Sequence, residues 1–242
     1  MADVLSVVSL STQEFLDSIR EHAPRIAVFD CDGTLWSGDA GSSFMKWTIE
    51  TGLVSREVTD AIDARYRDYL RGDVSELAIC GEMVQMYQGL REPEMRQAAK
   101  SFFAELIEPH IFREMQELVA ELQASGTEIW AVSSTNDWVI DEGAKRFGIA
   151  PDRVLAARVR IESGLVTNEL VEVPTDEGKV EALERARVHQ PDAVFGNSVH
   201  DAAMLRIAGR AYPVNPSAGL LEISTEQRWP VYFPQSVREP AK

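Results

Sequence analysis

Cysteine is nearly absent from this 242-residue chain, and Cys31 and Cys80 are its only two. They stand far apart, at no metal-ligand spacing. A chain of this length buries about 70–75% of its unfolded surface and needs no bridge to hold a core. Reduced thiols in a cytoplasmic protein are therefore expected. Long apolar runs are also missing: no stretch approaches the ~20 residues of a membrane-spanning helix. Met1 to Leu10 has no basic n-region and carries Asp3, unlike a secretion signal. Basic residues are scarce, 24 against 39 acidic ones, for a net charge of -15. Such a surface repels nucleic-acid phosphates and anionic membranes, so neither is expected as a partner. An anionic ligand would need a metal ion, a lysine and backbone amides to reverse that field at one spot.

Hydrophobic residues at 45% and charged residues at 26% are what a soluble globular chain carries. Four short apolar runs end in polar or Gly-rich residues and read as buried parallel strands: Ile26–Phe29, Glu128–Val132, Arg153–Ala156 and Ala193–Phe195. Helical patterns over Trp138–Phe147 and Lys179–Arg187 alternate with them. Strand–helix alternation predicts an α/β fold, a doubly wound, mostly parallel sheet covered on both faces. Val159–Ile161 and Leu165–Leu170, flanking Glu162-Ser163-Gly164, predict a small hairpin. From about Gly41 to Met115 there is no convincing strand, only amphipathic helical patterns such as Val58, Ile62, Tyr66, Tyr69 and Leu70. Gly52, Gly72 and Gly89 punctuate them, and Pro93 sits where a helix begins. The expected organisation is a core of residues 1–38 and 116–242, with 39–115 inserted as a helical cap. The segment after Ala211 is expected to wrap the core before fraying at Lys242.

The strongest local signal is Asp30-Cys31-Asp32-Gly33-Thr34, released by the first strand. Its carboxylates, spaced by two, fall at the strand's C-terminal end, where open α/β sheets bind ligands. Asp30 is a candidate nucleophile toward phosphorus, and Asp32 a candidate acid for the leaving alcohol and base for the hydrolytic water. Their hard oxygens also suit Mg2+. An isolated Asp-x-Asp would usually be no more than a turn. Three further strand ends or helix starts follow it. Ser133, in Ser133-Ser134-Thr135-Asn136, is placed to bond a phosphate oxygen beside a helix N-terminus, with Ser134 or Asn136 capping. Lys179, after Gly178, is a point charge suited to a phosphate and a crowded carboxylate pair. Asp201 is the candidate for holding a metal or its waters, with Asn197 supplying an amide oxygen.

This ordered set resembles the haloacid dehalogenase-like hydrolase superfamily over roughly Ile26 to Leu205, and most of all its phosphoserine phosphatase-like branch with a helical cap. Asp30-Cys-Asp-Gly-Thr34 matches the first motif, Ser133 the second, Lys179 the third, and Asn197 with Asp201 the fourth. The resemblance implies a Rossmann-like core and hydrolysis of a phosphate monoester through an aspartyl-phosphate. It also implies Mg2+ held by Asp30, the Asp32 carbonyl and the fourth motif. Gly33, Thr34, Asp39, Ser134 and His200 complete the candidate set on the substrate side.

Two departures qualify the match. Phosphoserine phosphatases usually carry Gly-Asp-Gly-x-Asn-Asp in the fourth motif, whereas this chain has Gly196-Asn197-Ser198-Val199-His200-Asp201. One carboxylate expected to touch Mg2+ is thus an amide, and His200 stands where an asparagine would position phosphate. Asp39 falls where the branch meets its substrate's amine, but Leu77 to Met86 contains no arginine for a substrate carboxylate. The substrate is therefore a small phosphorylated molecule, phosphocholine-like or phosphoserine-like, with the missing arginine against the latter. Trp36, Trp47, Tyr66, Tyr69 and Tyr87, near Asp39 and Glu82, are candidates to hold a cationic head group. A phosphotransferase would use the same residues, and a phosphate-binding protein without turnover is the non-enzymatic alternative. A dehalogenase has no use for Asp32.

Overall fold

In a computed structural model of the protein, residues 7–236 are described. The readings of Met1 to Leu10 and of a fraying end at Lys242 fall partly or wholly on residues 1–6 and 237–242, outside the described residues.

In chain order the elements are β1 (Ser9–Leu10), α1 (Thr12–His22), β2 (Ile26–Phe29), α2 (Ala40–Glu50), α3 (Arg56–Leu70), α4 (Glu76–Gln85), α5 (Glu92–Phe102), α6 (Arg113–Ala124), β3 (Glu128–Asn136) and α7 (Asp137–Arg146), then β4 (Val154–Glu162), β5 (Leu165–Glu172), α8 (Glu177–Arg185), β6 (Ala193–Gly196), α9 (Ala202–Arg206), β7 (Arg210–Pro213), α10 (Ala218–Gln227) and β8 (Val231–Tyr232). Six strands form one sheet in the order β5-β4-β3-β2-β6-β7. All its pairings are parallel except the β4–β5 hairpin. The chain builds outward from β2 through β3 to β4 and β5, then returns to the other side of β2 for β6 and β7. The reversal falls at β2, where an open α/β sheet leaves a ligand crevice beyond its carboxyl ends.

The period-2 pattern of the central strands divides the core into two layers. Val28, Val132 and Val194 point to the face covered by Leu183, Leu205 and Leu220 of α8, α9 and α10. Phe29, Ala131 and Phe195 point to the other, which α1, α5, α6 and α7 cover. On that face Phe29 and Phe195 are register partners with stacked rings 4.2 Å apart. Phe195 stacks in turn on Tyr212 of β7 at 4.9 Å. Phe15 of α1 meets both Phe195 and Tyr212 edge-on and stacks on Tyr232 at 4.1 Å. β8 pairs with β1, so the C-terminal segment does wrap back to the start of the described chain.

Four helices, α2 to α5, separate β2 from α6 and β3, as the absence of strand patterns predicts. Ser55 and Ser75 cap α3 and α4, and Pro93 lies in the first turn of α5. α4 lies on the β4–β5 hairpin so closely that a Cβ at Gly81 would come within 2.9 Å of Leu170. The hairpin turns on Ser163 and Gly164, both at positive φ, the backbone of a type I′ turn.

Some details differ from the sequence reading. Val154–Ala156 and Val159–Ile161 are not separate strands but parts of β4, whose first half is central and apolar and whose second half alternates, while Arg153 ends the 3-10 turn before it. β3 runs on to Asn136, past the expected end at Val132. The polar residues Ser133 to Asn136 still pair with β4 through a shifted register. β7 was not expected, because Arg210-Ala-Tyr-Pro213 is too short and too mixed to read as a strand.

The ring stack accounts for much of the cohesion at the switch point, so Phe195→Ala is expected to lower the unfolding free energy by about 3–5 kcal/mol in urea denaturation. Leu77→Ala, at an exposed helix position, should change it by less than about 0.5 kcal/mol. A Phe195 loss below about 1 kcal/mol would contradict this account of the core.

Candidate active site

β2 ends where its Asp30 N–H donates to the Phe195 carbonyl at 2.9 Å, which carries the ladder one residue into the crevice. Asp30 is buried, and each carboxylate oxygen has a partner. Lys179 Nζ donates to Oδ1 at 2.8 Å and Thr34 Oγ1 to Oδ2 at 2.9 Å. The turn that follows requires Gly33, whose φ is +73° and whose added Cβ would fall 1.9 Å from the Asn197 side chain. Asp32 is held by three donors: Trp36 Nε1 at 2.7 Å, the Ala40 N–H at 2.8 Å and Thr135 Oγ1 at 2.7 Å. The site therefore joins the end of β2 to the start of α2 and the end of β3.

Lys179 is the third residue of α8, and its ammonium reaches inward to a position where only 2% of the side chain is exposed. Besides Asp30 it donates to Asp201 Oδ1 at 2.5 Å and the Val132 carbonyl at 3.3 Å. Asp201 is fully buried beneath β6, and its Oδ2 accepts the N–H groups of Asn197 and Ser198 at 2.8 and 2.9 Å. Gly196 makes room for it, since a Cβ there would stand 2.6 Å from that of Asp201.

These contacts set the charge states. Burial, and next the charge of Asp201, pushes the Asp30 carboxyl up to about 6 against the pull of Lys179 and Thr34. Burial, and next the charge of Asp39, pushes Asp32 up to about 7 although Thr135 and Ala40 bond its ionised form. For Lys179 burial works against the charge, but Asp201 and Asp30 overcome it and hold the ammonium protonated. Burial, and next the charges of Asp30 and Asp32, drives the Cys31 thiol up, away from reactive thiolate.

One cavity of about 410 Å³ brings together most of the residues singled out from sequence: Asp30, Asp32, Gly33, Asp39, Ser133, Ser134, Lys179, Asn197 and His200. Thr34 and Asp201 do not line it but stand behind, bonded to Asp30 and Lys179. Asn136 is the residue that caps α7, accepting from the Val139 N–H at 3.1 Å. Asp39 both faces the cavity and caps α2 through the Ser42 N–H. Of the aromatic residues, Tyr66, Tyr69 and Tyr87 line the cavity. Trp36 and Trp47 pack in the core instead, and Glu82 is engaged by Arg65 at 2.7 Å.

Sequence reasoning missed Thr135, Glu76, Asp176 and Asn215. Asp176, at φ +50°, bonds His200 Nδ1 at 2.8 Å and lies in the segment that drew notice only for Lys179. Asn215-Pro216 carried a turn signal, and Asn215 Nδ2 reaches the Gly33 carbonyl at 3.4 Å. Glu76 gave no signal, because an acid in a helix's first turn is ordinary.

The haloacid dehalogenase-like hydrolase family matches residues 27–206. The chain belongs to that family. The reading as a phosphoric monoester hydrolase of this family stands with it. Among its relatives is a protein of Neisseria meningitidis named histidinol-phosphatase, 28% identical over 85% of this chain and 97% of its own length. Another is a probable phosphatase of Mycobacterium tuberculosis, 25% identical over 86% of this chain and 76% of its own length. Among solved structures, a Bordetella pertussis protein of unknown function superposes with a TM-score of 0.76, at 23% identity over 86% of this chain and 97% of its own. A phosphoserine phosphatase captured as a phospho-aspartyl intermediate analogue superposes with a TM-score of 0.60, at 17% identity over 87% and 93%. At these identities the two structures speak for the fold, the Rossmann-like α/β fold expected from sequence.

Removing the ammonium would leave two buried carboxylates facing each other. Lys179→Met is therefore expected to lower stability by about 3–5 kcal/mol near neutral pH. That deficit should shrink as pH falls toward about 5, because Asp30, raised to about 6 by burial and its neighbours, then takes up a proton. A deficit below about 1 kcal/mol, or one independent of pH, in denaturation series across pH would contradict the charge arrangement.

Proposed function

We propose that the chain hydrolyses a small-molecule phosphate monoester with Mg2+ bound, in two steps through an aspartyl-phosphate on Asp30. The observation that carries this reading is the buried Lys179 ammonium at the switch point. It is bonded to Asp30 and Asp201 in the wall of a cavity that also holds Asp32 with its raised pKa. The division into a core of 1–38 and 116–242 and a cap of 39–115 belongs to the same proposal, since both parts supply the cavity wall.

In the first step an Asp30 carboxylate oxygen forms a bond to phosphorus while the bond from phosphorus to the leaving oxygen breaks. Asp32 gives its proton to that oxygen, a role its pKa near neutrality suits. In the second step Asp32, now ionised, takes a proton from water as the water oxygen bonds to phosphorus and Asp30 departs as carboxylate. Ser133 and Lys179 hold phosphoryl oxygens in both steps, and Thr34 keeps Asp30 oriented. Gly33, Ser134, Asp39 and His200 border the space left for the substrate.

Among the described residues no three acids, histidines or cysteines gather closely enough to hold a metal by themselves. The hard oxygens of Asp30, the Asp32 carbonyl and the Asn197 amide nonetheless fit Mg2+, which takes few protein ligands and completes its shell with water and substrate phosphate. Bound there, Mg2+ would offset the negative charge brought together by Asp30 and the phosphate. Asp201 spends one oxygen on Lys179 and the other on two amides, which favours Asn197 over Asp201 as the direct ligand. No arginine lines the cavity to meet the carboxylate of a phosphoserine-like substrate. The name of the Neisseria relative makes histidinol phosphate an early compound to assay.

Asp30→Asn is expected to abolish Mg2+-dependent phosphate release from p-nitrophenyl phosphate without unfolding the protein, and persistent release would overturn the mechanism. With an alkyl phosphate, activity should fall as pH rises through about 7, where Asp32 loses the proton it gives to the leaving oxygen. Asp32→Asn should cost about 10²–10⁴-fold and remove the falling limb. Asn197→Asp should lower the Mg2+ concentration needed for half-maximal activity; an unchanged titration means Asn197 is not a ligand.

A further inference from the structure

We propose that Glu76 receives a cationic amine of the substrate, so that the preferred substrates are phosphate esters of amino alcohols that carry no carboxylate. The inference rests on the phosphatase reading above and specifies its substrate class.

Glu76 stands in the first turn of α4 and borders the same cavity as Asp30 and Lys179. Its Oε1 accepts a long contact from Cys80 Sγ at 3.4 Å, and the Tyr69 hydroxyl is within reach of the same carboxylate. Its Oε2 is buried and has no hydrogen-bond partner among the described residues. His200 Nε2 lies 3.6 Å from Oε2, beyond hydrogen-bond reach, while Nδ1 of the same ring is committed to Asp176. A buried carboxylate oxygen without a donor is unfavourable, and an ammonium entering the cavity would supply one.

The surroundings favour the same occupant. The Tyr69 hydroxyl stands beside Glu76, and its ring, 5.8 Å from that of Tyr66, offers a face to a cation. The Tyr66 ring already has the Lys46 ammonium 5.9 Å from its centre. Asp39 adds another acid to the cavity wall, and the one lysine lining it among the described residues, Lys179, is committed to Asp30 and Asp201. An amine therefore meets an opposite charge, and a carboxylate finds none to spare.

The test compares O-phosphoethanolamine with ethyl phosphate, which differ only in the amine, in the presence of Mg2+. Wild-type kcat/KM is expected to favour the amine by at least about tenfold, mostly through KM, as one charge-assisted contact allows. Glu76→Gln should bring the ratio toward one, and Glu76→Asp should restore part of it. A merely structural role for Glu76 would lower both esters together and leave the ratio intact. A wild-type ratio near one, or an amine preference that survives in Glu76→Gln, overturns the proposal. If Glu76→Gln does not fold, the wild-type ratio and the Glu76→Asp variant still decide. Calorimetric binding of the same two esters to the Asp30→Asn protein reads the preference without turnover. An amine preference there, with no phosphate release by wild type from either ester or from p-nitrophenyl phosphate, would sink the phosphatase reading alone.

Discussion

Asp30 and Asp201 share a buried site because the Lys179 ammonium stands between them. The rest of the active-site layout follows from that contact. Two buried carboxylates repel each other strongly, and a cation held at hydrogen-bond distance from both makes the pair tolerable. Lys179, itself buried, depends in turn on those acids and the Val132 carbonyl. Its three partners come from β2, the loop after β6, and β3. The ammonium thus joins the central strand to both of its neighbours at their carboxyl ends. Few arrangements other than the observed strand order bring those segments together.

The same contact sets the division of labour between the two acids of the first motif. Asp30 lies within the reach of Lys179 and keeps much of its nucleophilic, ionised character. Asp32 points away, toward Trp36, Ala40 and Thr135, with Asp39 as its charged neighbour. It is the acid whose proton persists toward neutrality. Two carboxylates two residues apart thereby have different environments, which is the condition for one to attack while the other transfers a proton. Because Asp32 is bonded to the first residue of α2, any shift of those helices is felt at the proposed proton donor.

Much of this was legible in the sequence because the decisive residues sit where local rules apply. Ile26–Phe29 and Ala193–Phe195 are apolar runs cut off by polar residues, and such runs end at the crevice in a doubly wound sheet. Gly33 announces the turn it makes. Ser163-Gly164 announces the hairpin. The rest depended on long-range packing. Nothing local says that Trp36 fills the core while Tyr69 faces the cavity, since both are large aromatic residues on helical or turn segments. Likewise Thr135 resembles any residue of a polar strand end until the register shift in β3 places it on Asp32. Glu76 was illegible for the opposite reason: its local setting, the first turn of a Ser-capped helix, already accounts for an acid.

In the proposed mechanism Asp30 is the nucleophile that receives the phosphoryl group, and mass spectrometry of the acid-quenched enzyme during turnover tests that most directly. The account predicts that a peptide containing Asp30 gains the mass of one phosphoryl group in wild type and in Asp32→Asn, where slowed hydrolysis should enrich it. The gain should be absent in Asp30→Asn. Phosphate release in wild type with no phosphoryl adduct in either enzyme, or with the adduct on another residue, would contradict it.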